Sequence, residues 1–209
     1  MKFKKILAFT LAEVLITMTI VGAIAAMTIP TLINKRVQTE RSAKLRKFYS
    51  RMTNAIDLMG MNGQSFKYLS LPKHSMYDWY ISDLDRYMGH KFLDADAKTV
   101  YFADGSSLNL GKNTALSSCK LVLYDTNGAK LPNSINSDQY YFVFCFEPKD
   151  RRKSLGDESI FFGAYGYEVT STTTDEKFIN SCKSQAVNTV CTKWLQINNW
   201  EYPENYPFK

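Results

Sequence analysis

The sequence predicts an α+β fold, in which one long N-terminal helix packs on a C-terminal antiparallel β-sheet. Three observations predict it. Residues 9–30 carry no charge except Glu13 and are strongly apolar. Leu45, Phe48, Tyr49, Met52, Ile56 and Met59 then recur at helical spacing and form one stripe. From about residue 98 the pattern changes to short runs rich in aromatic and β-branched residues, punctuated by Asp-Gly and Asn-Gly.

The first element is expected over residues 9–59. A helix needs about 20 apolar residues to cross a bilayer, and residues 9–30 supply 22. Gly22 and Pro30 lower its rigidity, and Pro30 is expected to kink or loosen it. The side opposite the stripe is basic, with Lys35, Arg36, Arg41, Lys44, Arg46, Lys47 and Arg51 against Glu40 alone. It reads as a solvated face near anionic headgroups or neighbouring subunits. Gly60-Met61-Asn62-Gly63 ends the helix.

Residues 64–97 read as a mixed connection with one short helix at 76–88, whose apolar positions include Tyr77, Tyr80, Ile81 and Leu84. Residues 99–102 and 107–110 form a hairpin around Asp104-Gly105. Residues 120–124 are a strand, Asp125-Thr126-Asn127-Gly128 a turn, and 139–146 a strand. Lys149-Asp150-Arg151-Arg152-Lys153 reads as an exposed charged loop. Residues 159–169 are expected to add a strand or hairpin. Thr174 caps a brief helix reaching Ser184. Residues 194–200 read as a final strand, and 202–208 as an irregular aromatic tail.

The 209 residues suit one globular domain on a long helix. The formal charge is +6, but Lys2, Lys4 and Lys5 account for three of those charges, so the balance does not argue for nucleic acid. Cys119, Cys145, Cys182 and Cys191 all lie beyond residue 110. An even count suits disulfides in an exported domain, and four cysteines allow three pairings. The favoured pairs are Cys119–Cys145, at strand ends that Asn127-Gly128 folds together, and Cys182–Cys191, which closes a short loop.

Enzyme chemistry finds little support, and the chain is read as a non-enzyme. His74 and His90 do not form a metal-spaced pair, and the sequence has no G-x-S-x-G, phosphate loop, G-x-G-x-x-G or C-x-x-C. The metal candidate is Asp125-x-Asn127-Gly128, where oxygen ligands alternate before a glycine as calcium prefers, with Asp138 able to approach across the loop. The same residues are a common hairpin turn. No cofactor other than calcium is suggested.

The N-terminal residues resemble the class III signal of type IV pilins and type II secretion pseudopilins. The matching features are the basic leader (Lys2, Lys4, Lys5), Phe9-Thr10-Leu11, Glu13 as fifth residue after the cut, Gly22, Ala25-Ala26 and Ile29-Pro30. Ala8 stands where the family usually has Gly. The resemblance implies a leader over 1–8, a membrane and polymerisation helix over 9–33, an amphipathic helix over 34–60 and a variable β-rich domain over 61–209. It implies cleavage between Ala8 and Phe9 by a prepilin peptidase, methylation of the Phe9 amine, and assembly through Glu13, Gly22 and Pro30. Its implied partners are further pilin-like subunits, the peptidase, the inner-membrane assembly platform and the lipid bilayer. Its implied location is the bacterial inner membrane with the C-terminal domain exported, then a periplasmic or extracellular filament. Two alternatives stay open: a minor tip pilin that binds a surface, a secreted protein or DNA through Lys149–Lys153 or the aromatic tail, and a secreted or simply membrane-anchored protein that does not polymerise. The A-x-A-like Ala23-Ile24-Ala25 fits the latter, but that reading leaves Glu13 unexplained.

Overall fold

The computed structural model describes residues 9–62, 75–111, 115–116, 118–131, 133–166, 169, 173–184 and 190–208. Ala8, His74 and residues 167–168 of the expected 159–169 strand lie outside the described residues. The chain divides into two compact units, Met1–Thr39 and Glu40–Lys209. Helix α1 (Leu11–Met61) contributes residues to both.

Among the described residues, the apolar window of α1 in the first unit is unburied. Phe9, Leu11, Leu15, Ile16, Val21, Met27 and Leu32 are all more than half exposed. The most apolar stretch has a mean hydropathy of 2.0, and the helix is long and apolar enough to cross a membrane. Its hydroxyls turn inward on the backbone: Thr17 Oγ1 donates to the Val14 carbonyl at 3.0 Å, Thr19 to Leu15 at 2.8 Å and Thr28 to Ile24 at 3.0 Å. Each is satisfied without water, as an apolar medium requires. α1 continues through Pro30.

The second unit is built on an antiparallel sheet. Its strands are β1 (Phe92–Asp94), β2 (Thr99–Tyr101), β3 (Ser107–Asn109), β4 (Ala115–Leu116), β5 (Cys119–Asp125), β6 (Gln139–Cys145) and β7 (Phe162–Ala164). The order is β1-β2-β3-β5-β6-β7, with β4 also on β5. The β5–β6 pair is the longest, running from Asp125 opposite Gln139 to Cys119 opposite Cys145. Alternate residues of these strands face opposite sides. Val122, Tyr124, Tyr140, Phe142 and Phe144 join the core under α1, while Leu121, Val143 and the Cys119–Cys145 pair join a second cluster with Leu155 and Tyr165. Both faces are therefore buried, which is why these strands read as almost continuous apolar runs.

The stripe of α1 that packs on this sheet is Leu45, Phe48, Met52, Ala55, Ile56 and Met59. Tyr49, expected in the stripe, is only partly buried at its edge. The Phe48 ring lies 4.0 Å from Tyr124, 5.0 Å from Phe142 and 6.0 Å from Phe162. A short helical segment, α2 (Met76–Trp79), a π-turn (Tyr80–Leu84) and α3 (Asp85–Met88), adds Tyr77, Tyr80 and Leu84 to the same core.

Three local expectations are corrected. Residues 149–153 are not a loop but part of helix α4 (Pro148–Leu155), with Pro148 at its start and Gly156 left-handed at its end, φ +85°. Residues 194–200 are not a strand. Helix α6 (Cys191–Ile197) buries Cys191, Trp194 and Leu195 at three- and four-residue spacing, and Asn199 and Trp200 then turn the chain at positive φ. Strand β1 lies in what the sequence presents as mixed connection. Helix α5 (Asp175–Lys183) starts as expected, with the Thr174 hydroxyl accepting from the Lys177 N–H at 3.4 Å.

Because Phe48 touches three sheet aromatics, Phe48→Ala is expected to destabilise a soluble fragment of residues 34–209 by about 3–5 kcal/mol. Urea denaturation followed by tryptophan fluorescence checks this. A loss below about 1 kcal/mol would contradict a sheet core centred on this ring.

Candidate functional site

The first candidate region is the start of α1. Thr10 stands just before the helix and Glu13 is its third residue. The Glu13 Oε2 accepts from the Thr10 N–H at 2.9 Å and from the Thr10 hydroxyl at 2.8 Å, while the Thr10 hydroxyl accepts from the Glu13 N–H at 3.2 Å. This is a reciprocal capping box, which satisfies two otherwise orphaned donors. The signal, Thr-x-x-Glu before an apolar run, was present in the sequence and was missed there. Phe9, Glu13, Val14 and Thr17 line an open hollow of about 380 Å³ beside it. Further along, a side chain added at Gly22 would meet nothing within 4 Å. Within the described residues, then, no close packing accounts for a glycine there. A helix-interior glycine costs roughly 0.5–1 kcal/mol relative to alanine.

The basic side of α1 is not simply a solvated face. Within the second unit its cations reach loop carbonyls and side chains at the ends of the sheet. Arg41 donates to the Ser137 hydroxyl at 3.2 Å, Lys44 to the Thr126 carbonyl at 2.9 Å, Arg46 to the Asn199 carbonyl at 2.6 Å, and Arg51 to the Met88 carbonyl. Lys47 pairs with Asp104 at 3.6 Å, and the Ser42 hydroxyl donates to the Trp200 carbonyl. Loops that leave a sheet carry carbonyls with no strand partner, and charged donors satisfy them well. Of the seven cations read as a solvated face, Lys35 and Arg36 belong to the first unit.

The turn after β5 holds the calcium candidates. Asp125 Oδ1 accepts from the Asn127 N–H at 2.9 Å and the Gly128 N–H at 2.8 Å, and its Oδ2 accepts from the Gln139 amide at 3.0 Å. Asn127 Nδ2 donates to Asp138 Oδ2 at 3.0 Å, and Asp138 Oδ1 accepts from the Ser134 N–H at 2.6 Å. Asp138 does approach across the loop, but as an acceptor for the turn. Gly128 is obligatory here: its φ is +67°, and a Cβ would stand 2.6 Å from the Gly105 carbonyl oxygen. Among the described residues no group of three or more His, Cys, Asp or Glu is placed to share a metal ion. Burial, with the nearby Asp138 carboxylate, holds Asp125 above the usual aspartate range despite its donors.

Two disulfides join Cys119 to Cys145 and Cys182 to Cys191. The first ties directly opposed residues of β5 and β6, and the second ties α5 to α6.

Residues 31–209 match the model of a family of unknown function, DUF6613. The chain belongs to the DUF6613 family. The match covers the whole second unit and leaves residues 9–30 outside it. No curated protein and no solved structure matches the chain.

In this DUF6613 domain, each of the two patches proposed for ligand contact gives some of its residues to the core: Asp150 and Arg151 of the charged run, and Tyr206 of the tail. Arg151 is 3% exposed; it donates to the Cys145 carbonyl at 2.8 Å and the Phe146 carbonyl at 2.6 Å. Asp150 accepts from the Ser118 N–H at 3.2 Å and the Ser118 hydroxyl at 2.6 Å. In the tail, the Tyr206 ring lies 5.7 Å from Trp194 and its hydroxyl donates to the Asn136 carbonyl at 2.8 Å. Tyr202 meets Tyr140 hydroxyl to hydroxyl. Of the 149–153 run, Lys149, Arg152 and Lys153 face solvent. His90 pairs with Asp85 at 2.8 Å.

Asp104 supplies a pH test of the helix–sheet seam. Burial pushes its carboxyl up, but the Ser106 hydroxyl at 2.5 Å, the Ser106 N–H at 3.1 Å and the lysines Lys47 and Lys44 outweigh that, so it lies below the usual aspartate range. A depressed folded pKa adds stability that is present above the unfolded value and is lost as pH falls through the folded one. Asp125, shifted upward, works in the opposite sense, so only a variant isolates the term. Asp104→Asn is expected to lower Tm at neutral pH, with the gap to wild type closing below about pH 4. A gap that stays constant across that range would contradict the assignment. A second expectation concerns metal: because the oxygens of Asp125 already serve the turn, millimolar Ca²⁺ is expected to leave Tm unchanged within about 1 °C. A larger rise abolished by Asp125→Ala would assign the loop to calcium.

Proposed function

We propose that this protein is a structural subunit of a type IV pilus or type II secretion-like filament. In this reading a prepilin peptidase cuts between Ala8 and Phe9, the Phe9 amine is methylated, and α1 holds the chain in the inner membrane before assembly. The observation that carries the reading is the unburied apolar half of α1, whose carboxylate at Glu13 is retained near its start. A charge in the middle of a membrane helix costs roughly 2.5–3.5 kcal/mol and one near its end costs less, yet a lone carboxylate kept in an apolar span still points to a partner or a function.

Three further features support it. The capping box gives Glu13 hydrogen bonds inside one chain, which lessens its cost in lipid. Gly22 has no packing reason within the described residues, and a glycine on an apolar helix lets a neighbouring helix approach closely. The disulfides suit a domain exported to an oxidising compartment. In the assembled state the same apolar surface is buried against other copies of α1, and Glu13 is free to pair with the Phe9 amine of an adjacent subunit. The tip-binding alternative keeps the exposed Lys149, Arg152 and Lys153, while Arg151 and Tyr206 serve the core.

N-terminal mass spectrometry of the membrane-extracted protein tests the processing step. A methylated Phe9 is expected, and a start near Ala26 would overturn the reading in favour of an ordinary secretory signal. Glu13→Ala is expected to leave export and cleavage intact while reducing sheared filaments at least about tenfold, the equivalent of roughly 1.4 kcal/mol per subunit. Undiminished filaments would remove the role given to Glu13.

A further inference from the structure

One end of the second unit carries an open cleft of about 220 Å³ between α1 and the segment entering β7. Its walls are Ile56 and Ile160 with Phe161, and its rim holds Thr53, Asp57 and Ser159. The cleft exists because β7 is the last strand of the sheet, so no further strand fills the space beside it. The rim hydroxyls are already used: Thr53 donates to the Tyr49 carbonyl at 3.0 Å and Ser159 to Asp157 at 2.8 Å. What the cleft offers outward is an apolar floor and the exposed Asp57 carboxylate, which has no ion pair among the described residues.

The opposite end of the same unit carries the complementary group. Leu131, in the loop after β5, is 83% exposed, more than any other large apolar side chain among the described residues of the second unit. Lys130 precedes it, is exposed, and has no ion pair among the described residues. The β5–β6 register fixes the separation. The Leu131 loop leaves the Asp125–Gln139 end, whereas Phe162 pairs with Phe144 next to the Cys119–Cys145 end. Seven strand residues span roughly 20 Å, so a chain cannot fill its own cleft with its own Leu131.

We infer that the Lys130–Leu131 loop of one copy docks in the Ile56–Ile160–Phe161 cleft of the next, with Lys130 against Asp57. Two different patches at opposite ends make this a heterologous contact. Repeated, such a contact propagates head to tail rather than closing as a two-fold dimer, and builds an open filament where its rotation does not close a ring. The choice of a second copy as occupant rests on the filament reading above. The geometry of the cleft and of the loop does not.

The test uses the full chain in its own membrane. Its native cysteines are all in disulfides, so added thiols are the reactive ones. The double variant Leu131→Cys/Ile160→Cys, treated with a bismaleimide, is expected to give a ladder of dimers, trimers and higher species, and either single variant only monomer. Lys130→Glu in that background is expected to weaken the ladder at least about threefold, and adding Asp57→Lys to restore it. No ladder, or dimers from Leu131→Cys alone, would overturn the contact. Sheared filaments scored in parallel separate the two claims. Filaments without a ladder overturn this contact and leave the filament reading standing. A ladder without filaments supports the contact and counts against that reading. Neither product overturns both.

Discussion

The ring of Phe48 stacks on Tyr124 at 4.0 Å and meets Phe142 edge-on at 5.0 Å, and the second unit is organised around that contact. The sheet supplies a layer of aromatics on one face, at alternate positions of β5 and β6, and α1 supplies the stripe that covers them. Aromatic pairs of this kind add about 0.5–1.5 kcal/mol beyond their buried area. The second face is closed by α4 through Leu155, next to the disulfide that staples β5 to β6. The sheet is therefore buried on both sides, and the helix is part of the domain's core rather than a tether leading to it.

Placing α1 over the sheet also settles its cations. Arg41 and Lys44 find acceptors in the β5–β6 connection, Arg46 at the turn after α6 and Arg51 at the end of α3, and Lys47 finds a carboxylate. Single exposed ion pairs contribute little, but charged donors to otherwise unpaired carbonyls contribute more. They fix the position of the helix along the sheet, which apolar packing alone does not specify sharply. The same logic governs Arg151, whose guanidinium binds the carbonyls at the end of β6.

The first unit obeys a different solvent rule. Thr17, Thr19 and Thr28 bond back to the helix, its one carboxylate bonds to Thr10, and among the described residues its apolar side chains are unburied. These features suit lipid and suit burial against other helices equally.

The sequence by itself determined the long helix, the α+β class, the hairpin at Asp104-Gly105, the two long strands and the Thr174 cap, because each rests on local periodicity, turn chemistry or capping. The capping box at Thr10–Glu13 was equally legible and is a matter of spacing alone. Only the tertiary structure decided the fate of polar and aromatic residues whose partners are remote in the chain. Nothing local says that Arg151 is buried, that the basic side of α1 reaches residues 88, 126, 137 and 199, or that Tyr206 belongs to the core. Residues 191–197 form a helix because Cys191, Trp194 and Leu195 must face one core together, which helical spacing permits and strand alternation does not. Charge and aromaticity specify what a side chain can bind, and the fold specifies what is there for it to reach.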